Sequence, residues 1–305
     1  MAQSGTIETQ HKLTYNDNTI LAVQNKRNRF DNAFSTIAKI SGEKAQAVDL
    51  LGPSEGIMDA PGNTPTPNIQ PDHSGIWVQP RRFIWGRTIP KSTPVYTAVD
   101  YQSSYVQDCA LAYRRAQMKI MGDALLGPRL VAQGTSSTPV SVAFDTANQR
   151  IGVDYEVSGT NTNLTVKKFA AAVSKFEAND IDTDDEEIFI AITAKQNESL
   201  YGQLQVTSAD YRDPRKAPVF EGTRVKEFMG VKIVIWNKLP LLTTYNRCVM
   251  WCKSGMHYGD AVPFSSDINI NPSLQNQPHI FAEAWMAATR SEDEKVVEIV
   301  CDPTK

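Results

Sequence analysis

No apolar run in this chain approaches the about 20 residues needed to cross a bilayer, and its opening, MAQSGTIETQ, contains no signal-peptide core. A soluble protein with no membrane partner, made in a cytoplasm, is the expectation. Cysteine is scarce: Cys109, Cys248, Cys252 and Cys301 are scattered among 305 residues, which excludes a disulfide framework. An excess of positive charge is missing too. Lys and Arg number 31 against 34 Asp and Glu, a net charge of −3, which argues against a dedicated nucleic-acid binder. The four histidines, His11, His73, His257 and His279, fall nowhere into a metal-ligand pattern. Gly-x-Ser-x-Gly, the Walker loop and Gly-x-Gly-x-x-Gly are all absent. The chain is therefore read as no enzyme, with no catalytic residue, metal or cofactor.

Two clusters invite chemistry and do not sustain it. Cys248 and Cys252 share a face of a strand-like segment, but no second Cys/His pair completes a zinc site, so buried thiols are expected. The run Asp180, Asp182, Asp184, Asp185, Glu186, Glu187 lacks the central Gly and terminal Glu of a calcium loop and reads as a solvated turn.

What is present is a globular composition, 41% hydrophobic and 21% charged, with length for one large domain or two ordinary ones. The organising stretch is Ser103–Gly127. Val106, Cys109, Ala110, Tyr113, Ala116, Ile120, Met121, Ala124 and Leu125 recur at spacings of three and four, predicting one amphipathic helix. Ser104 and Gln107 resemble a capping box, and Gly127-Pro128 is a stop. Such a helix is about 36 Å long, a spine across a domain.

Ahead of it, residues 43–99 read as two extended limbs around a Pro/Gly/Asn/Asp tip, MDAPGNTPTPNIQPDHS. Pro80, Pro90 and Pro94 predict a projecting two-stranded arm or a free sheet edge. Limbs of about 20 residues reach up to about 65 Å, well beyond the radius of gyration of about 19 Å expected for a body of this length. Trp77, Phe83, Trp85 and Tyr96 on that arm then need cover, and a neighbouring copy of the chain supplies it most economically. Arg81-Arg82 on the arm and Arg114-Arg115 on the spine read as intersubunit contacts.

The remaining elements are predicted in order. Residues 19–35 form a short amphipathic helix whose Lys26, Arg27 and Arg29 face either solvent or a polyanion. Residues 129–163 are a surface insertion or hairpin. Helices follow at Thr165–Ala178 and about Ala194–Leu204, with strands at Ile188–Thr193, FMGVKIVIWNKLP and 247–252. SGMHYGDAV reads as a short helix, and a strand pair turning at Ser291–Glu294 ends the chain.

This order, with VDYQSSYVQDCALAYRRAQMKIMGDALLG, VTSADYRDPRKAPVFEGTRVKEFMGVKIVIWNKLP and AWMAATRSEDEKVVEIVC, resembles the major capsid proteins of tailed bacteriophages. The resemblance implies an α+β fold, the tailed-phage major capsid fold. Its parts would be an N-terminal arm (1–42), an extended β-hairpin loop (43–99), a peripheral domain with the spine helix and insertion (100–163), an axial domain (164–271) and a return to the peripheral domain (272–305). It further implies a homo-oligomer of hexamers and pentamers in an icosahedral head enclosing double-stranded DNA. Lys26, Arg27 and Arg29 would be available on the inner face. No long helical segment precedes the arm, so a separate scaffolding protein is implied, with a portal protein and a decoration protein as further partners. An encapsulin-like compartment shares the fold, and a soluble hydrolase with dispersed Ser, His and Asp is the alternative of another class.

Overall fold

The computed structural model describes residues 27–37, 40, 45–58, 68–89, 101–133, 138–203, 219–221 and 224–305. It is a mixed α+β chain in two compact units. The smaller comprises Arg81–Lys119 and Asp260–Met286 with residues 27 and 28; the larger comprises Arg29–Pro80, Ile120–Gly259 and Ala287–Lys305.

The larger unit is built on strands buried on both faces. β8 (Ile188–Ile192, IFIAI) and β16 (Val296–Cys301, VVEIVC) expose no residue, the mark of strands covered on either side. β8 lies between β13 (Tyr245–Cys252), antiparallel, and β11 (Val231–Ile235), parallel, in register from Val231↔Ile188 to Ile235↔Ile192. With β7 (Arg150–Ile151), β9 (Val219–Glu221) and β10 (Arg224–Phe228), the order is β7-β16-β13-β8-β11-β10-β9, and β12 (Leu241–Leu242) pairs with β13. Met229 and Gly230 both have positive φ, 52° and 76°, as a two-residue hairpin between β10 and β11 requires.

Three helices occur among the described residues. α1 (Tyr101–Leu126) is the predicted spine. α2 (Val166–Ala178) starts at Thr165, whose hydroxyl accepts from Lys168 N at 3.2 Å, and buries Phe169, Ala172 and Phe176. α3 (Ala194–Tyr201) starts at a Thr193/Gln196 capping box.

Two further sheets complete the chain. β2 (Ala45–Leu51), β3 (His73–Val78), β5 (Arg129–Gln133) and β6 (Val140–Val142) form one in the order β2-β3-β5-β6. The other has the order β1-β14-β15-β4, from β1 (Ser35–Thr36), β14 (Met256–Asn271), β15 (Gln277–Arg290) and β4 (Arg81–Thr88). In the larger unit β1 meets β14 at Ser35↔His257 and Thr36↔Tyr258. In the smaller, β4 meets β15 from His279↔Thr88 to Met286↔Arg81.

Several expectations change. Residues 27–34 are a turn, not a helix, leading into β1; residues 19–26 lie outside the described set. Phe30 and Phe34 leave the helical pattern because each finds a ring in the larger unit. Phe30 meets Trp236 edge-on at 5.3 Å, both approach Trp251 at 6.0 Å, and Trp251 Nε1 donates to Ala33 O at 2.9 Å. SGMHYGDAV is a 3-10 turn (Lys253–Gly255) followed by β14, because Gly259 must pass flat against Ile37 and Ile40. The two terminal strands form but do not pair with each other: β16, buried throughout, takes β13 and β7, while β15 takes β14 and β4.

The second limb of the predicted arm divides at Pro80. β3 lies inside its sheet, against the reading that proline excludes interior pairing, and β4 lies at an edge, in accord with it. Residues 59–67 and 90–100 lie outside the described set, as does the Ser104 side chain of the proposed capping box. The stretch 129–163 contributes β5, β6 and β7 to sheets rather than only to surface.

α1 runs 101–126 where 103–127 was expected. It buries Cys109 and Met118 in the smaller unit and Met121, Gly122 and Leu125 in the larger, while Val106 stays 36% exposed. Its C-terminal carbonyls are held by a buried arginine. Arg290, 1% exposed, donates from Nη1 to Leu125 O and Gly127 O, both at 3.0 Å, and from Nε to Asp293 Oδ1 at 2.6 Å. Burial pushes its pKa down while Asp293 opposes the shift. Arg290→Lys keeps the charge and loses the fork, so one buried carbonyl goes unpaired. Unfolding free energy should fall by about 1–3 kcal/mol. An unchanged calorimetric midpoint would show that the fork does not secure the helix end.

Candidate assembly surface

The described residues offer surface chemistry rather than a metal or reactive-thiol centre. No group of three or more His, Cys, Asp or Glu among them is placed to hold a metal. No helix among them is long and apolar enough to cross a membrane. All four cysteines are buried free thiols. Burial pushes Cys252 up to about 12, and Cys248, buried beside Cys301, is also pushed well up, so neither forms a thiolate near neutrality. The acidic stretch 180–187 is a mostly exposed turn. Glu187 holds Lys253 at 2.8 Å and also Lys232, and these bonds lower its carboxyl to about 2.

The outer face of β4 and β15 in the smaller unit gathers polar and apolar groups. Strand alternation puts Arg82 and Ile84 on one side with Trp285 and Glu283, their register partners. Arg82 grips Glu283 with two bonds of 2.9 Å and lies 5.8 Å from the Trp285 ring centre; Trp285 Nε1 donates to the same carboxylate at 2.7 Å. The Glu283 carboxyl is thereby held below its usual range and the Arg82 guanidinium above it. Beside this patch Ile84 is 52% exposed.

The opposite face turns inward. Phe83 meets Tyr113 of α1 edge-on at 5.9 Å, and Tyr113 lies 4.7 Å from Phe264. Trp85 is half-buried; Arg81 is exposed. On α1, Arg114 is exposed and Arg115 lies 3.6 Å from Asp108. Arg81, Arg82, Phe83 and Trp85 thus come together on one strand, Arg82 on one face and the other three on the opposite face, whereas Trp77 is half-buried in β3 of the larger unit, between β2 and β5. Ile84, Glu283 and Trp285 were not singled out from sequence, although the alternation in RRFIWGRT and HIFAEAWM carried the signal.

In the larger unit the base of the β2–β3 loop is pinned where Gly52 N donates to Asp72 O at 2.7 Å. On its flanks Leu51 (63%), Ile57 (63%), Met58 (89%) and Ile69 (43%) are exposed, and Val140 (65%) stands on β6 of the same sheet. Of the basic trio, Lys26 lies outside the described residues and Arg27 is exposed. Arg29 donates from Nη1 to Ile235 O at 2.8 Å and so is tied to the body of the larger unit.

The model of a family described as "Phage capsid protein" matches residues 7–303. The chain belongs to that family. Among curated proteins no match is found. The fold agrees with solved capsids. The capsid structure of cyanophage P-SCSP1u has a TM-score of 0.70 at 14% identity, over 95% of this chain and 93% of that one. Mycobacterium phage Che8 gives 0.66 at 14% identity over 95% and 96%. The capsid of Ralstonia phage GP4 gives 0.67 at 11% identity over 95% of each. The protein is a structural major capsid protein of a phage, not an enzyme, and its place is the capsid of the virion.

Proposed function

We propose that this capsid protein closes an icosahedral head from hexamers and pentamers, assembled in the host cytoplasm around a scaffolding protein and a portal and later filled with double-stranded DNA. A decoration protein is a further partner. In this reading residues 1–42 are the N-terminal arm, 43–99 the extended loop, 100–163 the peripheral domain, 164–271 the axial domain and 272–305 the return. The loop lies on a neighbouring copy, and Trp77, Arg81, Arg82, Phe83, Trp85, Arg114 and Arg115 border intersubunit contacts. Lys26, Arg27 and Arg29 face the genome, where weak phosphate contacts suit a wall of net charge −3.

The observation that carries the reading is the exposure of Ile57 and Met58 on a loop whose base is pinned at Gly52 and Asp72. Many modest contacts of this kind, engaged together in a closed shell, add through multivalency. Replacing residues 54–70 by Asn-Gly keeps the Gly52–Asp72 closure and removes the apolar tip. The expected product has the wild-type unfolding midpoint and forms no closed particles in negative-stain micrographs. Particles as abundant as those of the wild type would remove the loop from assembly.

A further inference from the structure

The parallel pair β8/β11 in the larger unit has ends of opposite charge. At the N-terminal end of β8 is the turn 180–186, where Asp182, Asp184 and Asp185 are exposed. Among the described residues no ion pair engages Asp182, Asp184, Asp185 or Glu186. The nearby lysines are already committed: Lys232 and Lys253 to Glu187, Lys295 to Glu292. Asn179, just ahead of the turn, donates to Glu294 O, which brings one more acidic residue to this end.

At the other end, where β8 and β11 both finish, lies a cavity of about 500 Å³ lined by Arg29, Arg224, Asn197, Glu198, Tyr201 and Asn237. The start of α3 beside it is already satisfied. Ala194 N donates to Asn237 Oδ1 at 3.0 Å and Thr193 N to Gln196 Oε1 at 3.2 Å. What remains for a ligand is the cationic wall. Arg29 keeps one guanidinium nitrogen on Ile235 O, Arg224 is exposed, and Lys195 and Lys238 are exposed beside Ala194 and Asn237. Glu198 is the acid among the lining residues. Five strand residues at about 3.3 Å each separate the two ends by roughly 15 Å.

We infer that the turn 180–186 of one copy seats its carboxylates in this cavity of the next copy. A contact between two different patches is heterologous, and when its rotation closes it generates a ring. Opposite charge at the two ends supplies the attraction and fixes the order of contact, and like ends repel. The inference rests on the shell-forming function proposed above and names one contact between the copies in a ring.

Charge exchange tests it with the full-length chain. Asp184→Lys with Asp185→Lys reverses one end; Lys195→Glu with Arg224→Glu reverses the other. These side chains are exposed, so both double variants should keep the wild-type unfolding midpoint. Each alone should cut the yield of rings or particles by about tenfold or more at low salt, by sedimentation. All four changes in one chain should restore it. Equal yield from the double variants overturns the contact while leaving shell formation intact, and so does failure of the fourfold variant to recover. A cation-end variant that assembles normally but retains less DNA makes the cavity a nucleic-acid site and overturns it as well. A wild-type chain that never associates overturns both readings.

Discussion

Lys168→Met lowers the unfolding midpoint of this capsid protein by about 5–8 °C, the equivalent of about 3–5 kcal/mol for a chain of this size. Lys168 is fully buried on α2, and its ammonium gives its three protons to three backbone carbonyls: Val153 O at 2.9 Å, Thr162 O at 2.9 Å and Val300 O at 3.0 Å. One side chain thereby joins the segment before α2, the helix and β16. Methionine fills most of the volume but removes three charge-assisted bonds, each worth about 1.5–3 kcal/mol, while Val153 O keeps Thr162 N at 3.0 Å and Thr162 O keeps Asp302 N at 3.1 Å. Relief from burying a charge offsets part of that sum.

The sign of the pH dependence separates this account from a simple packing defect. Burial lowers the pKa of Lys168 below its ordinary value of 10.5, so in alkaline solution the unfolded chain binds more protons at this site than the folded one. Stability from Lys168 therefore rises with pH between the lowered value and 10.5, and is lost as pH falls through the lowered value. Cys252, pushed up by burial, acts oppositely but is common to both proteins, and Cys248, pushed up by its bond with Cys301 and then by burial, acts in the same opposite sense. The gap between wild type and variant in denaturant titrations should widen above neutrality. A constant gap up to pH 10.5 would show that the amine is not what holds the three segments.

The second large effect is expected at Gly122. A Cβ there would stand 2.1 Å from Trp236 Cη2 and 2.3 Å from Cζ3, distances no packed atoms tolerate. Trp236 is 4% exposed and cannot withdraw, because Phe30 stands edge-on against it and Phe30 is backed by Trp251. Alanine for glycine inside a helix ordinarily stabilises by about 1 kcal/mol. Here overpacking of about 3 kcal/mol or more overrides that gain, so Gly122→Ala should unfold several degrees earlier and yield fewer particles. Adding Trp236→Phe makes room at Cη2 and should recover part of the loss. A more stable Gly122→Ala protein would mean that the helix does not approach Trp236 this closely.

Sequence reading went furthest where one local pattern dominates. The spine was found within two residues at each end, because spacings of three and four persist from Val106 to Leu125 and Gly127-Pro128 ends them. IFIAI and VVEIVC read as strands since apolar β-branched runs leave little alternative. Of the candidate surface, the RRFIW stretch was legible as aromatic and basic residues at a proline-bounded edge. That Arg82 faces Glu283 and Trp285 while Phe83 faces Tyr113 was not, because strand alternation states that the faces differ without stating what lies on each.

Taken by itself, the sequence determined the class of chain, the length of its helix, the buried thiols and the capsid-like order of segments. These follow from composition and from periodicities that neighbours along the chain impose on one another. Only the tertiary structure decided that β15 and β16 enter different sheets, that Phe30 leaves its helical pattern for Trp236 and Trp251, and that Lys168 and Arg290 are buried donors to distant carbonyls. Each involves at least one partner more than 100 residues away, and no local pattern encodes which of many chemically equivalent carbonyls, rings or strand edges will be the one that is met.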